Sequence, residues 1–177
     1  SDNLLTGTIS PQLFGAPRED SNGGTTSMPA LHYLSFAGNS LDGPIPHTIA
    51  LCSNLRLLNL SSNLLTDMVP PALEALSELA VLDLSYNFLS GSLPPLNMPS
   101  LVTVSLQSNR FSGPIPSRIF SDSSSLQYLD LSNNLLSGTL PESLQTLTSL
   151  STLNMAHNSI DGGLPSWIGS LTSLKTL

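Results

Sequence analysis

The chain has 177 residues, of which 40% are hydrophobic, 5% are aromatic and 10% are charged, and its formal net charge is −7. An acidic protein whose few Lys and Arg residues are spread along the chain is not expected to bind nucleic acid or an anionic membrane surface. The sequence also has no run of about 18 apolar residues, so none of its segments is predicted to cross a bilayer.

A unit of about 24 residues repeats along most of the chain. Residues 126–141, LQYLDLSNNLLSGTLP, carry the motifs of one full copy. An asparagine marks the same position in each copy, and the numbers of these asparagines differ by 24, 24, 22, 25 and 24: Asn39, Asn63, Asn87, Asn109, Asn134 and Asn158. A fixed period of about 20 to 50 residues predicts a solenoid, in which each copy buries its apolar side against the next.

The first element in chain order is a partial repeat over residues 1–14. Within it, residues 1–9 match residues 132–140 almost residue for residue. Residues 15–30 then interrupt the period with Gly, Ser, Pro, Asn and charged residues, which predicts an inserted loop. This loop is interpreted either as a tolerated surface insertion or as a short segment that contacts a partner.

Six repeats follow, and residues 174–177 open a further one. The repeats cover residues 31–54, 55–78, 79–100, 101–125, 126–149 and 150–173. We expect a single array over residues 1–177. Because solenoids normally carry polar caps and neither end of this chain shows one, we expect the chain to be an interior segment of a longer array.

Each repeat is predicted to contain one short β-strand. In Leu129-Asp130-Leu131 apolar and polar side chains alternate, which places the leucines inside and Asp130 outside. Strands that run in the same direction through successive repeats form a parallel sheet. We expect the recurrent asparagines to be structural, because an amide can satisfy backbone groups where the chain turns after a strand.

A second motif recurs in the second half of the repeat. A glycine precedes an Ile-Pro or Leu-Pro pair in GPIP (43–46), GSLP (91–94), GPIP (113–116), GTLP (138–141) and GGLP (162–165). Together with L-x-x-L-x-L-x-x-N-x-L, this form resembles the plant-type leucine-rich repeat of receptor-like kinase and receptor-like protein ectodomains and of polygalacturonase inhibitors. Asp67 replaces the glycine in the copy around Asn63. If that position needs a positive φ, Asp is one of the less costly replacements.

The resemblance implies an α/β-type solenoid. The expected leucine-rich repeat forms a right-handed superhelix with a parallel β-sheet on its concave face and mostly irregular or 3-10 segments on its convex side. The resemblance also implies an extracellular or cell-surface setting, either as the ectodomain of a membrane protein or as a secreted protein.

The concave face is the expected partner-binding surface. Outward-facing strand positions form a partly apolar row with two tyrosines beside a polar row with two carboxylates. The candidate residues are Tyr33, Leu57, Val81, Asp83, Tyr86, Ser105, Gln107, Tyr128, Asp130, Asn154 and His157. Tyrosines with adaptable polar neighbours suit protein or peptide recognition, and Asp83 and Asp130 could meet a cationic group. The alternative is that these are ordinary solvated positions.

Two further residues are candidates for chemical modification: Asn59 for glycosylation and Cys52 for thiol reactivity. Asn59 begins the sequon Asn59-Leu60-Ser61 and would carry a glycan on the concave face of a secreted protein. Cys52 occupies a position that holds leucine in other repeats, so it is interpreted as a small buried hydrophobic residue, with a reactive thiol as the alternative.

No grouping of catalytic residues is predicted, and no cofactor or metal is expected. His32, His47 and His157 fall at different positions of the repeat, so they cannot form a metal cluster without ligands from elsewhere. Asp83 and Asp130 are expected about 9 to 10 Å apart, near the separation used by inverting glycosidases. An open surface, however, would neither raise one pKa nor exclude water.

These patterns favour a non-catalytic module that recognises a peptide or protein, with a co-receptor ectodomain as a further partner. The leading hypothesis is the ligand- or co-receptor-binding region of a plant receptor-like kinase or receptor-like protein, followed by a kinase domain in some members. One alternative is a secreted defence protein similar to polygalacturonase inhibitors. Another is a structural or ice-binding repeat protein.

Overall fold

A computed structural model describes residues 4–15 and 30–177 of the chain. Apart from Gly15 and Ala30, the expected inserted loop over residues 15–30 lies outside the described residues. Over these ranges the elements are short strands and 3-10 helices, with no α-helix. None of the described helices has the length and apolar character that a membrane crossing requires.

The strands alternate along the chain between two surfaces. In chain order they are β1 (Thr6–Thr8), β2 (Tyr33–Ser35), β3 (Ser40–Pro44), β4 (Leu57–Asn59), β5 (Leu64–Thr66), β6 (Val81–Asp83), β7 (Ser90–Gly91), β8 (Thr103–Ser105), β9 (Arg110–Pro114), β10 (Tyr128–Asp130), β11 (Leu135–Gly138), β12 (Thr152–Asn154) and β13 (Ser159–Ile160). The 3-10 helices are Pro11–Phe14, His47–Leu51, Pro71–Ala75, Glu142–Thr146 and Ser166–Ser170.

The first surface, called the concave sheet below, is one parallel sheet in the order β2-β4-β6-β8-β10-β12. Its strands pair at the same position of every repeat, so Leu34, Leu58, Leu82, Val104, Leu129 and Leu153 lie side by side and are buried. An isolated parallel bridge from Thr152 to Thr176 continues this pairing at the edge of β12. The leucine-rich repeat fold predicted from the sequence is confirmed, with parallel strands on one side and 3-10 turns on the other.

A second line of strands lies beside the first surface and was not predicted. It consists of the parallel sheets β1-β3-β5 and β7-β9-β11-β13. Across the break between them, the backbone N–H groups of Phe88 and Ser90 still donate to the carbonyls of Leu65 and Asp67, each at 2.8 Å. The exposed surface formed by these strands is called the lateral surface below.

The recurrent asparagines join successive repeats through backbone groups. Asn63 Oδ1 accepts a hydrogen bond from the N–H of Leu41 at 3.0 Å, while its Nδ2 donates to the carbonyl of Phe36 at 2.9 Å. The same side chain also bonds the carbonyls of Leu60 and Ser61 in its own repeat. Four other asparagines make equivalent bonds: Asn87, Asn109, Asn134 and Asn158. Asn39 accepts from the N–H of Leu5 but donates only to carbonyls of its own repeat.

The glycine position after each asparagine does require a positive φ. Gly43, Gly91, Gly113 and Gly138 have φ between 71° and 79°, and Asp67 holds the equivalent position at φ 65°. Asp67 is therefore in the left-handed region, where an L-residue is strained but Asp is tolerated better than most.

Candidate functional site

The concave sheet arranges most of the predicted binding residues in two rows. The register aligns Tyr33, Leu57, Val81, Thr103, Tyr128 and Thr152 in one row, and Ser35, Asn59, Asp83, Ser105, Asp130 and Asn154 in the other. Tyr86, Gln107 and His157 lie just beyond the carboxyl ends of β6, β8 and β12. The rows extend across six strands at a spacing of about 4.8 Å, so Tyr33 and His157 lie at opposite edges of the sheet.

The polar row is less open than the sequence suggested. Asp130 is only 7% exposed and Ser105 is buried, whereas Asp83 and Asn154 are half-buried. The apolar row also changes along the sheet: Tyr33 is 68% exposed, and Leu57, Val81 and Tyr128 are half-buried. The surface around Ser105 is therefore partly shielded from solvent, whereas the edge of the sheet near Tyr33 is exposed to solvent.

One oxygen of each aspartate in the polar row is used by the fold. Asp83 Oδ1 accepts from the N–H of Ser85 at 3.0 Å and from its Oγ at 2.6 Å. Asp130 Oδ1 accepts from the N–H of Ser132 at 2.9 Å. Asparagine makes the same turn in two other repeats, where Asn59 and Asn154 accept from the N–H two residues later. The turn therefore needs the side-chain oxygen and not its charge.

The second oxygens of the two aspartates differ in their surroundings. Asp130 Oδ2 accepts from Tyr128 Oη at 3.3 Å and from Asn154 Nδ2 at 3.0 Å. Asp83 Oδ2 receives no hydrogen bond from the described part of the chain. Burial raises the pKa of Tyr128, and the charge of Asp130, its hydrogen bond to the phenol, and the charge of Asp83 raise it further. The two carboxylates therefore make the electrostatic potential at this hydroxyl negative.

The strand between the two aspartates adds an unpaired acceptor. Ser105 pairs with Asp83 on one side and with Asp130 on the other. Two residues later, Gln107 Oε1 is buried and has no hydrogen-bond partner within the described residues. No Lys or Arg occupies an outward-facing position of the six strands, so the centre of the concave sheet is rich in acceptors and has no cationic side chain on these strands.

Neither a metal cluster nor a reactive thiol emerges from the described residues. In those ranges no three His, Cys, Asp or Glu side chains are grouped to hold a metal ion. Cys52 is free and fully buried, and burial raises the pKa of its thiol. Its environment matches that of a small apolar core residue.

The lateral surface carries large exposed side chains that were not among the predicted binding residues. Leu64, Phe88 and Leu135, each the residue after a recurrent asparagine, are exposed there. The guanidinium of Arg110, at the same position of the next repeat, lies 4.6 Å from the centroid of the Phe88 ring, within the range of a cation–π contact. The signal in the sequence was the recurrence of large side chains at this one position.

Comparison with protein families assigns the repeats. Leucine-rich repeat models match residues 30–52, 54–76, 78–97 and 99–160. The chain belongs to the leucine-rich repeat family. The leucine-rich repeat region is a non-catalytic repeat domain. Comparison with curated protein sequences gives no match.

Solved structures of plant receptor ectodomains resemble the whole array. The ectodomain of the membrane receptor kinase GASSHO1/SCHENGEN3 from Arabidopsis thaliana, in complex with CASPARIAN STRIP INTEGRITY FACTOR 2, is 32% identical with a TM-score of 0.87 over 99% of this chain and 20% of its own. The Arabidopsis receptor kinase HAESA, in complex with the peptide hormone IDA and the co-receptor SERK1, is 33% identical with a TM-score of 0.85 over 99% of this chain and 28% of its own. This chain thus spans between a fifth and a third of the length of the receptor chains in these two solved structures.

A plant ice-binding protein also shares the fold. It is 28% identical to the array with a TM-score of 0.74, and the match covers 100% of this chain and 61% of the ice-binding protein. The leucine-rich repeat fold is therefore shared by proteins of different functions, and the surface must decide between them.

Proposed function

We propose that the array is part of the extracellular ligand-binding region of a plant receptor-like kinase or receptor-like protein and binds a peptide across its concave sheet. The similar receptor kinase HAESA in complex with the peptide hormone IDA supports a peptide ligand, and SERK1 in the same complex supports a co-receptor as a further partner. The proposed setting is the cell surface.

The acceptor-rich centre of the concave sheet carries the proposal. An extended peptide crossing β6, β8, β10 and β12 would place a cationic group near the free Oδ2 of Asp83. Charge-assisted hydrogen bonds to such a group are shorter and stronger than neutral ones. Tyr86 and Tyr128 would provide rigid contact area beside it, with His157 at the far edge.

The test selects peptides from a random peptide library displayed on phage, using the immobilised chain. The same selection is repeated on the double variant Asp83→Asn, Asp130→Asn. Asparagine makes the equivalent turn at Asn59 and Asn154, so the variant keeps both turns and loses two charges, together with the two hydrogen bonds that Asp130 Oδ2 accepts. Asp42→Asn on the lateral strand β3 is the matched control, because Asp42 is exposed and lies outside the concave rows.

We expect the native chain and the Asp42→Asn control to select peptides with Arg or Lys, and the double variant to bind those peptides at least about tenfold more weakly, a loss of about 1.4 kcal/mol. Equal binding by the double variant would exclude the aspartates from the binding site. Selected peptides that bind equally well after replacement of both Tyr128 and Gln107 would place the site elsewhere.

The similarity to a plant ice-binding protein favours a second candidate function. Ice binding requires a regular, flat array of similar side chains, whereas the concave rows mix Tyr, Leu, Val and Thr in one row and Ser, Asn and Asp in the other. Inhibition of ice recrystallisation by the isolated chain would support this candidate, and its absence together with selected peptide binding would support the first.

A further inference from the structure

Asn59 differs from the recurrent asparagines in the state of its amide nitrogen. The Nδ2 atoms of Asn63 and Asn87 each donate to three backbone carbonyls. Asn59 Oδ1 accepts from the N–H of Ser61 at 3.0 Å and from its Oγ at 2.7 Å, but Asn59 Nδ2 donates to no group within the described residues. That nitrogen is also not among the buried unpaired atoms, so it is accessible to solvent.

The free nitrogen coincides with the sequon of the chain. Asn59-Leu60-Ser61 is its only Asn-x-Ser/Thr sequence. Asn59 is the last residue of β4, and its side chain faces outward on the concave sheet between Ser35 and Asp83. Leu60, the middle residue of the sequon, is buried in the core. A substituent on Nδ2 would therefore extend into the concave space without displacing the leucine interior.

We propose that Asn59 carries an N-linked oligosaccharide, and this inference rests on the extracellular setting of the proposed function. The donor is a lipid diphosphate-linked oligosaccharide in the secretory pathway. A bond forms between Nδ2 and the anomeric carbon of the first sugar, the bond from that carbon to the diphosphate oxygen breaks, the lipid diphosphate leaves, and Nδ2 loses one proton. Oδ1 remains an acceptor, so the turn to Ser61 is preserved.

The glycan would divide the concave sheet into two parts. Neighbouring strands are about 4.8 Å apart, so a branched oligosaccharide on β4 covers that strand and reaches both of its neighbours, β2 and β6. Tyr33 and Leu57, the outward-facing residues of the apolar row on these strands, would lie beneath it. The exposed ring of Tyr33 offers an aromatic contact for the first sugar. The peptide is then confined to the strands after β4, with Asp83 on β6 at the border of the glycan and Asp130 on β10 farther from it.

The first experiment translates the full chain, fused to a cleavable signal peptide, in the presence of microsomes. We expect one shift in gel mobility that endoglycosidase H removes. Asn59→Gln and Ser61→Ala should each abolish the shift, whereas Asn154→Gln should retain it, because Asn154 makes the same turn outside a sequon. This readout does not depend on folding. Absence of the shift in both the native chain and Ser61→Thr, which keeps the sequon, would overturn the proposal.

The second experiment separates this inference from the proposed function. The chain secreted from cultured human cells is compared with Asn59→Gln in binding to the library-selected peptides. We expect a mass increase at Asn59 and an affinity of Asn59→Gln equal to or higher than that of the glycosylated chain, because the glycan lies beside Asp83. A secreted, folded chain with unmodified Asn59 that still binds peptide would reject the glycan alone. A glycosylated chain that binds no peptide would reject the proposed function alone.

Discussion

The backbone N–H of Leu65 donates to Oδ1 of Asn87 at 3.0 Å, although the two residues are 22 positions apart. The amide of Asn87 also donates to the carbonyl of Leu60 at 3.0 Å, so one side chain links two repeats through both of its polar atoms. The recurrent asparagines from Asn63 to Asn158 repeat this link at their own boundaries, whereas Asn39 links two repeats through its Oδ1 alone. The stacking of repeats therefore depends on polar bonds inside the array as well as on the leucine core.

Asn87→Ala should destabilise the fold by about 1 to 3 kcal/mol. The change leaves the buried N–H of Leu65 without its partner and removes one of the two amide donors to the carbonyl of Leu60, and an unsatisfied buried group costs about 1 to 3 kcal/mol. Urea unfolding followed by circular dichroism measures the loss. Gln145→Ala on an exposed 3-10 segment is the control and should change stability by less than about 0.5 kcal/mol. Similar effects of the two changes would contradict the structural role of Asn87.

Leu82→Ala should cost about 2 to 5 kcal/mol. Leu82 is fully buried at the centre of the concave sheet, and its truncation removes apolar contact area and leaves a cavity. Leu164→Ala is the matched control, since Leu164 is 69% exposed. Thermal and urea unfolding of both variants would show whether the difference follows burial. A loss for Leu164→Ala as large as that for Leu82→Ala would show that burial does not rank the leucines.

Asp67→Gly should leave the stability unchanged or raise it by up to about 1 kcal/mol. Asp67 has φ 65°, and glycine removes the steric cost of a side chain in that region, although it also increases the entropy of the unfolded chain. The reciprocal change Gly91→Asp, at φ 79°, should destabilise by about 1 to 2 kcal/mol. Urea unfolding measures the change in the free energy of unfolding for each variant. A stabilising effect of Gly91→Asp would contradict the cost assigned to a side chain at positive φ.

Asp130→Asn should lower the pKa of Tyr128. Burial raises this pKa above its ordinary value of 10.0, and the charge and hydrogen bond of Asp130 raise it further. Because the folded pKa exceeds the unfolded one, the stability linked to the protonated phenol is complete below about pH 10 and is lost as the pH rises through the folded pKa. Ultraviolet titration of the phenolate measures the shift, and Tyr128→Phe identifies the transition. An unchanged pKa in Asp130→Asn would remove Asp130 as a cause.

Cys52 should react with a thiol reagent only when the fold opens. Its thiol is fully buried and burial raises its pKa, so little thiolate is available in the native chain. Labelling with an aromatic disulfide should be slow in buffer and rapid in concentrated urea. Cys52→Ala should leave peptide binding unchanged. Rapid labelling of the native chain would show that Cys52 is accessible.

The position of the concave strands and the structural role of the recurrent asparagines could be predicted from the sequence. The alternation at Leu129-Asp130-Leu131 and the recurrence of asparagine and glycine are local signals, because one repeat carries all the information needed for its own strand and turn. The two concave rows also follow from the sequence, since every repeat enters the sheet at the same phase. The need for a positive φ at Asp67 could be inferred from the glycines in the other repeats.

Only the tertiary structure decided which side chains of those rows are free. The burial of Ser105 and Asp130, the use of Asp83 Oδ1 in a turn, and the unpaired Oε1 of Gln107 depend on neighbours from adjacent repeats and on side-chain rotamers. The lateral strands and the contact of Arg110 with Phe88 depend on the same distant neighbours. The sequence of one repeat determines the conformation of that repeat. The hydrogen bonds and the burial between repeats exist only after the repeats have stacked.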